Sequence, residues 1–145
     1  MAVSWQVTFD AVDAKALARF WARALHYAAE PPPDGFDSWP SALEAMGVPE
    51  DEWDDGASLI DPSGVGPRIV ILGVPEPKTA KNRMHLDLRA ERVEEDTSVE
   101  RKDSILAEAA RLEALGATRI LEQGLPGHHF HVVMQDPEGN EFCVN

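Results

Sequence analysis

The last eighteen residues of the chain, HHFHVVMQDPEGNEFCVN, concentrate side chains that can bind a metal or move a proton. His129 and His131 are two positions apart, so on a strand they share one face, and Glu141 and Cys143 do the same on the next strand. Imidazole, carboxylate and thiolate groups are common ligands of transition metals. This ending therefore predicts either part of a metal centre or a stretch of core and cavity wall.

A further histidine lies in a second alternating segment, from Met84 to Ala90. His85, Asp87 and Arg89 alternate there with apolar residues, which is typical of a half-buried strand. The segment from Trp5 to Ala11 alternates in the same way. Its polar face carries Gln6, Thr8 and Asp10. The sequence therefore predicts two strands with polar faces, on which Gln6 and His85 hold matching places.

The elements around these strands follow from capping and turn residues. Asp13 can cap a helix that runs to about His26, and Thr97 with Glu100 forms a capping box for a helix that Gly116 ends. A shorter helix is predicted near Ser41 to Met46. Further strands are predicted at ASLID, RIVILGV, ATRIL, HFHVVMQ and EFCVN, with DPEGN as a hairpin turn between the last two.

The order of elements repeats along the chain: strand, helix, then strands, with DPSG late in the first half and DPEG late in the second. Gln6 maps onto His85 with an offset of 79 residues, and Asp61 maps onto Asp136 with an offset of 75. The repeat predicts an α+β fold of two modules, at about 1–76 and about 82–145, within a single domain 1–145. Two such modules packed edge to edge would place both polar strand faces around one shared cavity.

Composition limits the partners of the chain. Its 145 residues include 26 acidic and 13 basic side chains, so the net charge of −13 disfavours nucleic acid and anionic membrane surfaces. A single cysteine excludes an internal disulfide, and no apolar run approaches the roughly 20 residues of a membrane span. The opening MAVSWQVTFD lacks the pattern of a secretory signal. We expect a cytoplasmic protein.

Three segments carry a resemblance to a known superfamily: VTFDAVDAKALARFWARALHY, PKTAKNRMHLDLRA and DPEGNEFCV. The chain resembles the vicinal oxygen chelate superfamily, which includes glyoxalase I, extradiol dioxygenases and the bleomycin and fosfomycin resistance proteins. It looks most like the bacterial glyoxalase-like domains of unassigned activity. The resemblance implies two tandem βαβββ modules that form a curved, mostly antiparallel sheet around a shared cavity. Where such proteins hold a metal, each of four strands supplies one ligand.

Carried onto this sequence, the resemblance places the metal ligands at Gln6, His85 and Cys143. The family's acidic ligand on the last strand falls on Cys143, which is either a thiolate ligand or a small apolar core residue. The matching strand of the first half offers only Val70, Ile71 and Leu72. The implied cofactor is a divalent metal such as Zn, Ni, Fe or Mn, with an incomplete ligand set. Glu141, about 7 Å along the strand from Cys143, is the candidate base or a carboxylate at the rim.

Other polar and aromatic residues are candidates for ligand contacts. Trp39 and Trp53 fall in predicted loops that could cover a cavity mouth, whereas Trp5 and Trp21 lie on apolar faces and are predicted to be core. Lys78, Lys81, Asn82 and Arg83 form either a solvated linker or a basic patch. The remaining ligand-binding candidates are Thr8, Asp10, Asp87, His129 and His131.

Three functions fit these residues. The first is a small-molecule-binding protein of the glyoxalase and bleomycin resistance type with a degraded metal site. The alternative is a metal-dependent lyase or isomerase resembling glyoxalase I, in which Glu141 removes a proton next to a carbonyl group. The third is an interaction module without a ligand. A homodimer is compatible with each of them.

Overall fold

The computed structural model describes residues 1–91, 98–124 and 129–145. The chain divides into two compact units, Met1–Pro77 and Lys78–Asn145. Thr97 at the predicted capping box and His128, the first residue of the quoted eighteen, lie outside the described residues. Within the described ranges, no helix is long and apolar enough to cross a membrane.

The first unit is a four-stranded mixed sheet with a helix on one face. Its sheet has the order β1-β4-β3-β2, in which β1 runs parallel to β4 and the other neighbouring pairs are antiparallel. A 3₁₀ turn at Glu50–Glu52 precedes β3. The elements are β1 Gln6–Ala11, α1 Ala14–Leu25, β2 Ala28–Ala29, α2 Trp39–Ala45, β3 Gly56–Ile60 and β4 Arg68–Gly73.

The second unit repeats this arrangement. Its sheet has the order β5-β8-β7-β6, with β5 parallel to β8 and the other pairs antiparallel. The elements are β5 Asp87–Leu88, α3 Ser98–Leu115, β6 Thr118–Gln123, β7 His131–Gln135 and β8 Glu141–Val144. The predicted α+β fold of two tandem βαβββ modules is confirmed, with the short helix α2 as an addition to the first.

Helix α1 forms the core of the first unit because its apolar residues share one face. Asp13 caps the helix by accepting a hydrogen bond from the Ala16 backbone N–H at 2.8 Å, and the chain leaves it through His26 at φ 56°. Trp21 is buried and stacks on Phe9 of β1 at 5.3 Å between ring centroids. Trp5 is 65 % exposed, so its predicted core position is wrong. It shares the face of Phe9 but precedes β1, where the first sheet pairing begins at Gln6.

The core of the second unit lies between α3 and one face of its sheet. Ile105, Ala109 and Leu112 of α3 are buried, and so are the alternating residues Val132, Met134, Phe142 and Val144 of the sheet. The predicted strand from Met84 is regular only at Asp87–Leu88, although its backbone bonds to β8 extend from Leu86 to Ala90. Met84 is 88 % exposed, because it precedes the first of these bonds.

The two Asp-Pro turns support the internal repeat at the level of hydrogen bonds. Asp61 accepts backbone N–H bonds from Ser63 and Gly66 at 2.8 and 2.7 Å. Asp136 accepts backbone N–H bonds from Glu138 and Asn140, both at 2.9 Å. An aspartate that binds the N–H groups of the following turn fixes the direction in which the chain returns. The same side chain therefore sets the turn before the last strand of each module.

Candidate functional site

The polar face of the second sheet gathers three side chains that can bind a metal. Asp87 of β5 is the register partner of Cys143 on β8, and His85 lies two residues before Asp87 on the same face. The Nε2 atom of His85 is 3.4 Å from Oδ1 of Asp87. One ligand atom from each of the three residues lies within 4.8 Å of the other two. The second module alone therefore brings a nitrogen, an oxygen and a sulfur donor together.

The electrostatic surroundings of Cys143 favour its protonated form. Burial raises the pKa of the thiol, and the nearby carboxylate of Asp87 raises this pKa further, while Lys81 acts in the opposite direction. The side chains of His85 and Asp87 are about half exposed, at 48 % and 54 %. A metal ion at this group would have to displace the thiol proton, so its affinity would increase with pH.

The three donors suit some metals better than others. Imidazole and thiolate ligands with one carboxylate are typical of zinc and related ions, whereas manganese prefers oxygen donors. Three protein ligands would leave the remaining positions to solvent or substrate. The group formed by His85, Asp87 and Cys143 thus fits a zinc-type ion. Asp87, predicted as a ligand-binding residue, completes this group in place of a residue from the first module.

Glu141, the candidate base, is held in an ion pair at the start of the second unit. Its carboxylate accepts a hydrogen bond from the Asn82 backbone N–H at 3.0 Å and lies 3.0 Å from Nζ of Lys78. The Asn82 hydrogen bond, followed by the contact with Lys78, lowers the pKa of Glu141 to about 2. A carboxylate with so low a pKa is a weak base near neutral pH. These contacts favour a structural role, in which Glu141 anchors residues 78–82.

Gln6 is engaged on the polar face of the first sheet. Arg68 stands opposite Gln6 in the parallel pair β1–β4, and its Nη1 donates a hydrogen bond to Gln6 Oε1 at 3.1 Å. The same guanidinium binds both carboxylate oxygens of Glu30 and the hydroxyl of Ser58. Hydrogen bonding from Arg68 lowers the pKa of Glu30. The amide oxygen that would face a metal therefore faces a guanidinium group.

Arg68 and Glu30 did not emerge as site residues from the sequence alone. Their contact joins positions 38 residues apart, and it depends on the pairing of β2, β3 and β4. The available signal was an arginine at the first position of RIVILGV, a strand that is otherwise apolar. Thr8 and Asp10 share the face of Gln6 and are exposed, as the alternation predicts.

Trp39 and Trp53 line a cavity of about 540 Å³ within the first unit. The indole N–H of Trp39 donates to the backbone oxygen of Glu30 at 2.8 Å, and that of Trp53 donates to Val48 at 2.9 Å. The predicted loop position of Trp39 is wrong, because Trp39 is the first residue of α2. The prediction started this helix too late because it did not use the cap at Ser38, whose side chain accepts from the Ser41 N–H.

His129 and His131, near the end of the chain, are not members of the group formed by His85, Asp87 and Cys143. His129 precedes β7 and is exposed, whereas His131 is the first residue of β7 and is half-buried. The Nδ1 atom of His131 is 3.4 Å from the backbone oxygen of His129. Neither side chain belongs to the group of ligand atoms around Cys143. Their predicted role in ligand binding remains a prediction.

Comparison with protein families identifies the chain. A family model described as a glyoxalase-like domain matches residues 6–145. The chain belongs to this glyoxalase-like domain family. The match covers both modules, from the first residue of β1 to the last residue of the chain. A comparison with curated proteins found no match.

Solved structures share the fold at low sequence identity. A glyoxalase/bleomycin resistance protein/dioxygenase family enzyme from Burkholderia phytofirmans is 16 % identical, with a TM-score of 0.61 over 97 % of this chain and 94 % of that one. A fosfomycin resistance protein from Listeria monocytogenes, in complex with Mn(II) and dihydroxypropylphosphonic acid, is 11 % identical, with a TM-score of 0.65 over 100 % and 92 %. Lactoylglutathione lyase from Agrobacterium tumefaciens is 13 % identical, with a TM-score of 0.55 over 99 % and 91 %. The chain therefore shares its fold with solved structures of the glyoxalase/bleomycin resistance/dioxygenase (vicinal oxygen chelate) superfamily.

Proposed function

We propose that this glyoxalase-like domain binds a small molecule without the four-strand metal centre that its resemblance implies. The observation that carries the proposal is the hydrogen bond from Arg68 to Gln6 Oε1 at 3.1 Å. The amide oxygen that would bind a metal already accepts a hydrogen bond from a guanidinium group, whose positive charge repels a metal cation. Glu30 balances this charge, so the network is complete without a further ion. At the predicted ligand position, the first module thus offers an amide oxygen that already has a cationic partner.

Support for small-molecule binding comes from the cavity beside Trp39 and Trp53. Its volume of about 540 Å³ lies within the range of roughly 300–1,000 Å³ that is common for small-molecule sites. Its lining combines alanine, leucine and valine side chains with two indole rings and a few charged groups. Such a lining is typical of a site that binds a mainly apolar ligand and orients it through few polar contacts.

The first test measures metal and ligand binding on the same protein. Untagged protein is incubated with manganese, iron, nickel or zinc, dialysed and examined by elemental analysis, beside a His85→Ala variant. A panel of small aromatic compounds is then titrated in the presence of EDTA and followed by tryptophan fluorescence. We expect clearly less than one equivalent of metal, and at least one compound that binds in EDTA. One equivalent of metal that disappears in His85→Ala, or binding that requires the metal, would contradict the proposal.

A second candidate function is a metal-dependent lyase or isomerase, and the group of His85, Asp87 and Cys143 favours it. These residues would hold a zinc-type ion, which when bound supplies Lewis acidity to oxygen atoms of a substrate. Cobalt(II) added to the protein tests this candidate, because a bond between cobalt and a thiolate gives a charge-transfer absorption band. If the candidate is correct, the band appears in the cobalt-loaded native protein and is lost in Cys143→Ser. Its absence from the native protein would remove the candidate.

A further inference from the structure

The cavity of the first unit has a chemically mixed lining. One wall is a stripe of α1, on which Lys15, Ala18, Arg19 and Ala22 follow helical spacing. The two tryptophans also line the cavity, and Glu52 and Asp55, which line it too, are one and two positions from Trp53 in the sequence. Strands β2, β3 and β4 supply further lining residues. The lining therefore offers a ligand aromatic rings, small apolar side chains, carboxylates and, on the α1 wall, two cationic groups.

Both indole rings are held before any ligand binds. The hydrogen bonds to the backbone oxygens of Glu30 and Val48 fix the ring nitrogen of Trp39 and of Trp53 at 2.8 and 2.9 Å. Each ring is only part-buried, so part of its surface remains available. A binding wall that is ordered in advance loses less conformational entropy on association. The two rings thus form preorganised aromatic surfaces.

The charge of the chain is concentrated in the unit that holds this cavity. Residues 1–77 contain 13 acidic and 4 basic side chains, whereas residues 78–145 contain 13 acidic and 9 basic ones. Trp53 lies within the segment EDEWDD, where five of six residues are acidic. In the part of the chain that the structure describes, neither Glu52 nor Asp55 forms a salt bridge. The potential around Trp53 therefore favours a positively charged ligand.

We infer that this cavity binds a planar aromatic cation, which stacks on an indole ring and is attracted by the carboxylates of Glu52 and Asp55. A cation over an indole face is stabilised by the quadrupole of the ring, and a planar ring system adds contact area. Lys15 and Arg19 are cationic, so they repel the positive centre of the ligand and keep it away from the α1 wall. The inference rests on the proposed function, to which it adds the place and the chemical class of the ligand.

The test compares two probes of similar shape and different charge. N-methylacridinium is a planar cation, and N-methylacridone is its neutral counterpart. Each probe is titrated into the full chain in EDTA and followed by calorimetry and tryptophan fluorescence. We expect the cation to bind about tenfold more tightly than the neutral probe, with an affinity that falls as salt is added. Equal affinity for the two probes would overturn the inference.

Variants of the tryptophans locate the binding site. Trp53→Ala should weaken acridinium binding by about tenfold, and Trp53→Phe should weaken it less because an aromatic face remains. Trp5→Ala is the control, since Trp5 is exposed and does not line the cavity. Circular dichroism of each variant confirms that it is folded. Affinity that is unchanged in both Trp53→Ala and Trp39→Ala would overturn the inference.

A pair of double variants separates the local carboxylates from the general charge. Glu52→Gln with Asp55→Asn should weaken acridinium binding by about threefold or more. Asp34→Asn with Asp37→Asn removes the same charge from exposed residues that do not line the cavity, and should have a smaller effect. Equal losses in the two double variants would contradict the role of the cavity carboxylates.

Failure of this inference can be told apart from failure of the proposed function. In one outcome, small molecules bind in EDTA, and their affinity is unchanged in Trp53→Ala but reduced in His85→Ala. This outcome would support the proposed function and place the ligand on the second module. One equivalent of metal at His85, together with tryptophan-dependent acridinium binding, would contradict the proposed function and leave the cavity as a binding site.

Discussion

Arg68 and Gln6 face each other at one register position of the parallel pair β4–β1, and the guanidinium Nη1 of Arg68 donates a hydrogen bond to Gln6 Oε1 at 3.1 Å. Glu30, from the other edge of the same sheet, completes the arrangement through a bidentate ion pair with Arg68. A side chain that the resemblance assigns to a metal thus belongs to a closed polar network. Its residues come from β1 and β4 and from the chain just after β2.

Removal of Arg68 should therefore destabilise the first unit more than removal of Gln6. We expect Arg68→Met to lower the free energy of unfolding by about 1 kcal/mol, because the ion pair is part-exposed and screened by solvent. Gln6→Ala should cost about half of that or less. Urea unfolding followed by circular dichroism measures both, with Arg83→Met at an exposed position as the control. Equal losses for Arg68→Met and the control would show that the network contributes nothing.

The raised pKa of Cys143 predicts that its thiol reacts slowly with thiol reagents. The chain contains one cysteine, so reaction with Ellman's reagent reports on this side chain alone. Because Asp87 raises the pKa of Cys143, Asp87→Asn should lower it and speed the reaction at about pH 8. Asp103→Asn, at an exposed position of α3, is the control. A rate that does not change in Asp87→Asn would mean that the carboxylate does not act on the thiol.

The sequence was sufficient for the fold because the elements have strong local signals. Alternation, the cap at Asp13 and the stop at Gly116 predicted strands and helices that the structure contains. The incorrect burial predictions concern residues at the boundaries of strands. Trp5 and Met84 follow the alternation of their strands, yet both are exposed because sheet pairing begins only after them. Periodicity shows which way a side chain points, but not whether anything covers it.

The candidate site was harder to predict because its contacts join distant residues. His85 and Cys143 were named from the resemblance, and the parallel pairing of β5 with β8 brings Asp87 to them. The ion pairs of Arg68 with Glu30 and of Lys78 with Glu141 span 38 and 63 residues. No local pattern indicates such pairs. The partner of a charged side chain depends on strand order and register, and local sequence patterns do not determine either.

Glu141 should contribute to stability at neutral pH and lose that contribution in acid. Its pKa is about 2 in the folded chain, below the ordinary value of 4.5, so the unfolded chain binds the proton more readily between these values. The stabilisation is complete above about pH 4.5 and disappears as the pH falls toward 2. We expect Glu141→Gln to cost about 1–2 kcal/mol at pH 7, and clearly less at pH 3.

Urea unfolding at both pH values measures this difference, with Glu76→Gln at an exposed position as the control. Lys78→Met should reproduce part of the loss, because it removes the cation and leaves the hydrogen bond from Asn82. A cost of Glu141→Gln that is equal at pH 7 and pH 3 would contradict the lowered pKa.

The last prediction concerns the turn that precedes β8. Asp136 is only 3 % exposed, and its Oδ1 accepts the backbone N–H groups of Glu138 and Asn140. Asp136→Ala leaves these donors without their partner, and we expect it to lower the free energy of unfolding by about 2 kcal/mol or more. Asp136→Asn keeps an oxygen acceptor and should cost less. Asp61→Ala makes the matched change in the first module, where the aspartate is more exposed, and should also cost less. Thermal and urea unfolding rank the three variants. An Asp136→Ala protein as stable as Asp61→Ala would show that burial of this turn adds nothing to the stability of the second unit.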